Sequence, residues 1–269
     1  HLGLYGYERN TSPEIDRWFA DAAIFERAYT TNAHTPPSVV SILTGQLPQE
    51  HGVRLFYQLL PEGVLLIPDR LPGSYQTAAF VSNVVLTEEA LGIANRFDHF
   101  DDRVDEKEPL RSVYERNARR TTNAVLLWLA EHRDAERPLF LWVHYIDPHG
   151  PYRAPSGAAG SFQHEGRLPV ENKRILNYQR EKGVEDALDY VDRYDEEIAY
   201  VDAQIGRLLD GYAQRHDSAA ALVIFSADHG ESMIEHERWF THGYQVYEEI
   251  IRIPLMIRGP GLEGGRRRG

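Results

Sequence analysis

Apolar residues recur along this chain with two different periods. In the stretch around residues 191–208, Val191, Tyr194, Ile198, Val201, Ile205 and Leu208 step by three and four, the spacing of one face of a long amphipathic helix. Residues 119–132 repeat the pattern with Val125, Leu126, Trp128 and Leu129 on the core side. A third helix begins at Ser12 as N-cap, with Pro13 in the first turn, and runs to about Ala23 with Ile15, Trp18, Phe19 and Ala22 on one face. Between these lie short apolar runs of strand type at 25–30, 77–82, 138–145, 219–225 and 251–257. The run at 138–145 is continuous enough for a central parallel strand covered on both faces, and 219–225 reads as a second buried strand.

Strand and helix patterns alternate through the whole chain. The economical architecture is therefore α/β, a mostly parallel central sheet flanked by helices on both faces, in a single domain over residues 1–269. Two segments break the pattern and read as irregular surface chain, about 95–112, rich in Asp and Glu, and about 150–175, rich in Gly, Pro and Ser. Residues 61–73 suggest a poor helix interrupted by Pro68, and 48–53 a turn. In such sheets ligands collect beyond the carboxyl ends of strands. Two polar clusters, at 147–149 and 228–229, sit just past such ends, which argues that they share a site.

Charge and composition narrow the partners. A formal charge of −12 argues against nucleic acid. An anionic substrate then needs local cations or metals to overcome the overall field. No apolar run approaches the roughly 18 residues of a membrane span. With no cysteine, disulfide and thiolate chemistry are excluded. No signal-peptide pattern opens the chain, but His1 is an unusual natural start, which leaves export open and the compartment unassigned.

Three stretches carry candidate chemistry. Residues 34–45 run His-Thr-Pro-Pro-Ser-Val-Val-Ser-Ile-Leu-Thr-Gly. The two prolines stiffen the start of a helix and hold the Thr35 hydroxyl at its N-terminus, where backbone N–H groups and the dipole favour an anion. That suits a nucleophile attacking a phosphate or sulfate ester, although alone such a turn is more often only an N-cap. Asp228-His229 supplies oxygen and nitrogen donors suited to Zn²⁺, Mn²⁺ or Mg²⁺, and Gly230 is expected to turn the backbone sharply beneath them. His236 and His242 follow, three histidines within fourteen residues. In 147–152, Pro148 and Pro151 bracket His149 and hold it stiffly; alone it reads more readily as a structural histidine.

Taken together, the ordered motifs resemble the sulfatase-like branch of the alkaline phosphatase superfamily. The matching residues are His1-Leu2-Gly3-Leu4-Tyr5-Gly6-Tyr7, Thr11 to Asp16, Pro37-Ser38 with Leu43-Thr44-Gly45, and His51-Gly52-Val53. They continue with Asp147 to Tyr152, Tyr194 to Asp202, Asp228-His229-Gly230-Glu231, and Tyr247-Glu248-Glu249 through Arg258-Gly259-Pro260-Gly261. The resemblance implies a fold for metal-dependent phosphoryl or sulfuryl transfer. It implies Thr35 as nucleophile and metal contact, Asp228 and His229 as ligands of a divalent ion (Zn, Mn, Ca or Mg), and His149 and His242 at the ester oxygens or leaving group. It places His236 at an often polar position nearby. The substrate implied is a small-molecule, glycan-linked or lipid-linked anionic ester.

The sequence also departs from that pattern. Sulfatases carry Cys-x-Pro-Ser-Arg, whose cysteine becomes formylglycine; here Thr35 and Val39 stand at the Cys and Arg positions. Thr241 replaces the lysine before the late histidine, and Phe56 an often polar residue. Threonine at the nucleophile position in related families serves phosphodiesterases, phosphonate hydrolases and phosphoglycerol- or phosphoethanolamine-type transferases. The expectation is phosphate-ester over sulfate-ester chemistry, with such a transferase, or a binding module with a degraded site, as alternatives. The family's opening strand, with two ligand carboxylates, precedes the His-Leu-Gly motif, so a fragment of a longer protein is expected.

Overall fold

The structure, a computed structural model, describes residues 1–104, 107, 114–155 and 157–267. In chain order it forms α1 (Pro13–Trp18), β1 (Ala23–Tyr29), α2 (Thr35–Thr44), the single turns α3 (Pro48–His51) and α4 (Ile67–Arg70), and β2 (Gln76–Phe80). The turn α5 (Glu88–Leu91), β3 (His99–Asp101), α6 (Ala118–Glu131) and β4 (Leu139–Val143) follow. The remainder is α7 (Leu188–Ala213), β5 (Val223–Ser226), the turn α8 (Glu248–Ile251), β6 (Arg252–Arg258) and β7 (Gly265–Arg267). These elements pack as two compact units, a central one of Thr30–Ile146 and a terminal one of His1–Tyr29 with Asp147–Gly269.

In the central unit a parallel sheet has strand order β3-β2-β4. Every residue of β2 is buried, and its alternate side chains serve opposite faces. Ala79, with Val81 just beyond the strand, joins a cluster with Val39, Val40 and Leu43 of α2, whereas Phe80 packs edge-on to Trp128 of α6 at 6.0 Å. Helices thus cover both faces, as the alternating pattern predicts. Strand β4, expected to be buried on both faces, is only half-buried along its length. Strand β3 falls inside the acidic stretch read as irregular surface chain. There Asp101 is buried between Arg103 and Arg116, with Arg116 Nη1 at 2.5 Å. Burial would raise this carboxyl, but the bonds and charges of the two guanidinium groups hold it at about 2. The rest of that stretch, 105–106 and 108–112, lies outside the described residues.

In the terminal unit the sheet order is β5-β6-β1-β7. Strand β6 runs antiparallel to both β5 and β1, and β7 pairs parallel to β1. Helix α1 stops at Trp18 rather than near Ala23, because Ala23 and Ile24 are taken into the sheet opposite Ile257 and Met256. Strand β5 starts four residues later than its apolar run and is half-exposed, with Ile224 59% exposed, where a buried strand was expected. The residues before it form a turn around Asp217.

Helix α7 is more than an apolar stripe. Alongside Ile198, Val201 and Leu208 it buries five carboxylates, Asp192, Asp195, Glu196, Glu197 and Asp202. Each serves the backbone or side chains of another segment, since a buried charge must be compensated. Asp195 takes His1, Tyr7 and Arg9. Glu196 accepts from the Gly160 N–H at 2.5 Å. Asp202 caps α1, accepting from Glu14 N–H at 3.0 Å and Ile15 N–H at 2.7 Å. The acid-bearing helix is what seats the loops.

Candidate active site

Three of the expected histidines meet in the terminal unit. Asp228 and His229 follow β5 directly, past its carboxyl end. The His229 ring stacks on His242 with centroids 4.1 Å apart, and His242 meets His149 edge-on at 5.6 Å. His229 Nδ1 lies 2.8 Å from the Gly230 carbonyl; a carbonyl only accepts, so Nδ1 carries a proton and donates it there. His229 Nε2 is 3.4 Å from Asp228 Oδ2. Two donors about 3.4 Å apart are the spacing of tetrahedral ligands roughly 2.0–2.2 Å from one ion. The pair therefore fits a divalent metal, as an oxygen–nitrogen donor set.

Gly230 is not there for a sharp turn. A Cβ at this position would lie 2.1 Å from the Glu249 carbonyl oxygen, and the Gly230 N–H donates to Ile250 O at 2.6 Å. Glycine permits close approach of β5's exit to α8.

His149 is held through its backbone. Its N–H donates to Glu197 Oε2 at 3.0 Å, and the Arg153 N–H donates to Oε1 at 2.6 Å, so one buried carboxylate pins both ends of the 149–153 loop. Gly150 lies against the buried amide of Gln179, which a Cβ would approach to 1.7 Å. His242 is held through its ring, with Nδ1 3.2 Å from Glu231 Oε1. Burial lowers the His242 pKa, but the hydrogen bond and charge of Glu231, aided by Asp228, more than reverse this and leave it raised. Burial, with Glu231 nearby, pushes the Tyr152 hydroxyl far up, so it stays protonated.

His236 is not brought into this stack. Its Nε2 pairs with Glu249 Oε1 at 2.9 Å and its ring stacks on Tyr247. Thr241, at the lysine position, is 1% exposed and bonds across the loop to Ser232.

Among the described residues, one group of three potential metal donors lies elsewhere in this unit: His164, Asp189 and Asp192, with ligand atoms within 4.8 Å of one another. Sequence reading missed it. Ion pairing accounts for it, because His164 Nδ1 and Arg9 Nη1 each lie 2.6 Å from Asp192. The Asp192 hydrogen bond raises the His164 pKa, which favours the protonated ring.

Thr35 belongs to the central unit, where it is the first residue of α2 and 7% exposed. Pro36 and Pro37 carry no N–H, and the Ser38 N–H donates back to the His34 carbonyl. The two prolines thus remove two of the N–H donors expected in this turn. The helix is held from its inner face: Thr30 bonds Ser38, Thr31 donates to Ser41 at 2.7 Å, and Ser41 meets His51 Nε2 at 3.1 Å. His51 is buried and accepts the Val53 N–H at Nδ1, so its Nε2 proton goes to the helix. Phe56, at the often polar position, packs edge-on against His34.

This α/β fold is shared by solved sulfatases and phosphonate monoester hydrolases. The phosphonate monoester hydrolase of Agrobacterium radiobacter has this fold, with a TM-score of 0.76 at 18% identity over 99% of this chain and 67% of that one. The sulfatase family profile matches residues 1–268, and the chain belongs to the sulfatase family. It is 22% identical to human iduronate 2-sulfatase over 97% of this chain and 57% of that protein. It is 29% identical to the choline-sulfatase of Rhizobium meliloti over 53% of this chain and 31% of that protein. The chain thus spans under two thirds of these two sulfatases.

Proposed function

We propose that this chain belongs to a metal-dependent ester hydrolase that uses Thr35 as nucleophile and prefers phosphate or phosphonate esters to sulfate esters. The observation that supports it most is the Asp228–His229 donor pair with His242 stacked beside it and His149 next in the row. Thr35 at the position of the formylglycine cysteine, and Val39 at that of its arginine, argue against sulfatase chemistry. The phosphonate monoester hydrolases that share the fold supply a precedent.

In this reading Thr35 Oγ attacks the phosphorus in line, the P–O bond to the leaving alcohol breaks, and a phosphothreonine forms; water then attacks it and releases Thr35. Asp228 and His229 would hold a divalent ion, which would supply Lewis acidity to the reaction. His242, its Nδ1–H on Glu231, presents Nε2 to the ester oxygens or leaving group, and His149 assists there. The substrate is a small-molecule, glycan-linked or lipid-linked anionic ester, recognised through its charge.

The test is turnover of aryl phosphodiester, phosphonate monoester, phosphomonoester and sulfate ester substrates by the full-length protein with Mn²⁺ or Zn²⁺. Phosphorus esters are expected to turn over faster than the sulfate ester, and Thr35→Ala to lose at least about a thousandfold in kcat. Undiminished turnover in Thr35→Ala sinks the nucleophile assignment; a faster sulfate ester sinks the preference.

A further inference from the structure

Glu231 appears above only as the partner of the His242 ring and a neighbour of Tyr152. It is 9% exposed, two residues after His229, and both its oxygens face one ring nitrogen: His242 Nδ1 lies 3.2 Å from Oε1 and 3.4 Å from Oε2. A carboxylate only accepts, so the proton must sit on Nδ1. In a neutral ring Nε2 then keeps its lone pair.

The local fold makes this meeting obligatory. Ser232 and Thr241 form an isolated antiparallel bridge, Ser232 N–H to Thr241 O at 3.0 Å and Thr241 N–H to Ser232 O at 3.2 Å. The Ser232 hydroxyl ties the turn further by donating to the Arg238 carbonyl at 2.9 Å. Glu231 precedes one bridge partner and His242 follows the other, so the bridge sets them side by side. His229 is fixed the same way, by Nδ1 on the Gly230 carbonyl. Both stacked rings are thus pinned at Nδ1, one by a carbonyl and the other by a carboxylate, which orients the ring more strongly.

We propose that Glu231 is the positioning residue of His242, fixing the ring as the Nδ1–H tautomer so that Nε2 is the atom available to the reacting group. The role of Nε2 rests on the ester-hydrolase reading; the tautomer does not.

Nitrogen NMR of the full-length protein labelled at histidine, with His242 assigned by its loss in His242→Gln, reads the tautomer directly at a pH where the ring is neutral. Wild type is expected to show Nδ1–H at His242. Glu231→Ala is expected to move the proton to Nε2 and to lower kcat about 10- to 100-fold with a smaller change in KM. Glu231→Gln, whose amide oxygen can still accept, is expected to restore the Nδ1–H form and part of kcat. An Nε2–H ring in wild type overturns the proposal, as do unchanged ring shifts in Glu231→Ala, or a Gln variant that behaves like Ala. If Glu231→Ala does not fold, the wild-type tautomer alone decides. Absence of ester turnover in wild type counts against the hydrolase reading and leaves the tautomer result standing.

Discussion

Glu197 on α7 accepts the backbone N–H of His149 at 3.0 Å, and with its other oxygen the N–H of Arg153 at 2.6 Å. The carboxylate is fully buried, so these N–H groups have no water to replace it. Glu197→Ala is expected to cost about 2–4 kcal/mol, from two stranded donors at roughly 1–3 kcal/mol each. Glu197→Gln should cost less, because its amide keeps one acceptor. Thermal unfolding midpoints of the two variants check this order; equal midpoints for wild type and Ala defeat it.

The same loop makes a steric prediction. Gly150→Ala drives a Cβ to within 1.7 Å of the Gln179 amide, which is fully buried and has little room to withdraw. Overpacking of this kind costs about 1–3 kcal/mol. Shortening the partner in Gly150→Ala/Gln179→Ala should recover part of it, and a double-mutant cycle of unfolding free energies measures the coupling. Additive losses would show that the two residues do not touch.

Two buried aspartates give the protein opposing pH dependences. Asp202 is raised to about 6 from about 3.8, chiefly by burial, against the two N–H groups it caps. A raised folded pKa contributes stability fully present below about pH 3.8 and lost as pH rises through about 6, worth roughly 3 kcal/mol for this shift. Asp101, held at about 2 by Arg103 and Arg116 against its burial, does the reverse. Its contribution, about 2 kcal/mol, is present above about pH 3.8 and lost as pH falls toward 2. Denaturant titrations should therefore lose their pH 4–6 slope in Asp202→Asn and their pH 2–4 slope in Asp101→Asn. Retention of either slope in its own variant removes that aspartate as the cause.

Much of this was legible in the sequence because period and order carry it. The step of three and four placed α7, and the buried run at 77–82 placed β2 within two residues at either end. Motif order alone put His149, Asp228, His229 and His242 into one expected site, whereas the stacking of the three rings is visible only in the fold. What escaped notice is polar and tertiary. Strand β3 was hidden by acids, because Asp101 looks like solvent-facing charge until Arg116 is folded against it. The five buried carboxylates of α7 looked like the wet face of an amphipathic helix, and only the loops that donate to them reveal otherwise. The antiparallel setting of β6 has no signature in its own residues; it depends on where the preceding chain crosses.

The last prediction separates two possible metal centres. Asp228 and His229 offer two donors 3.4 Å apart, and the His229 ring is oriented by its Nδ1–H on the Gly230 carbonyl. His164, Asp189 and Asp192 offer three donors, the larger count, but Arg9 already neutralises Asp192 and the His164 ring is biased to hold its proton. A metal there must displace a proton and compete with a guanidinium, each opposing binding. Metal content of the purified full-length protein, measured by plasma mass spectrometry, should fall by most of its value in Asp228→Ala and in His229→Ala. In His164→Ala it should stay at the wild-type level. Loss of metal in His164→Ala with retention in the other two would transfer the assignment to the three-donor group.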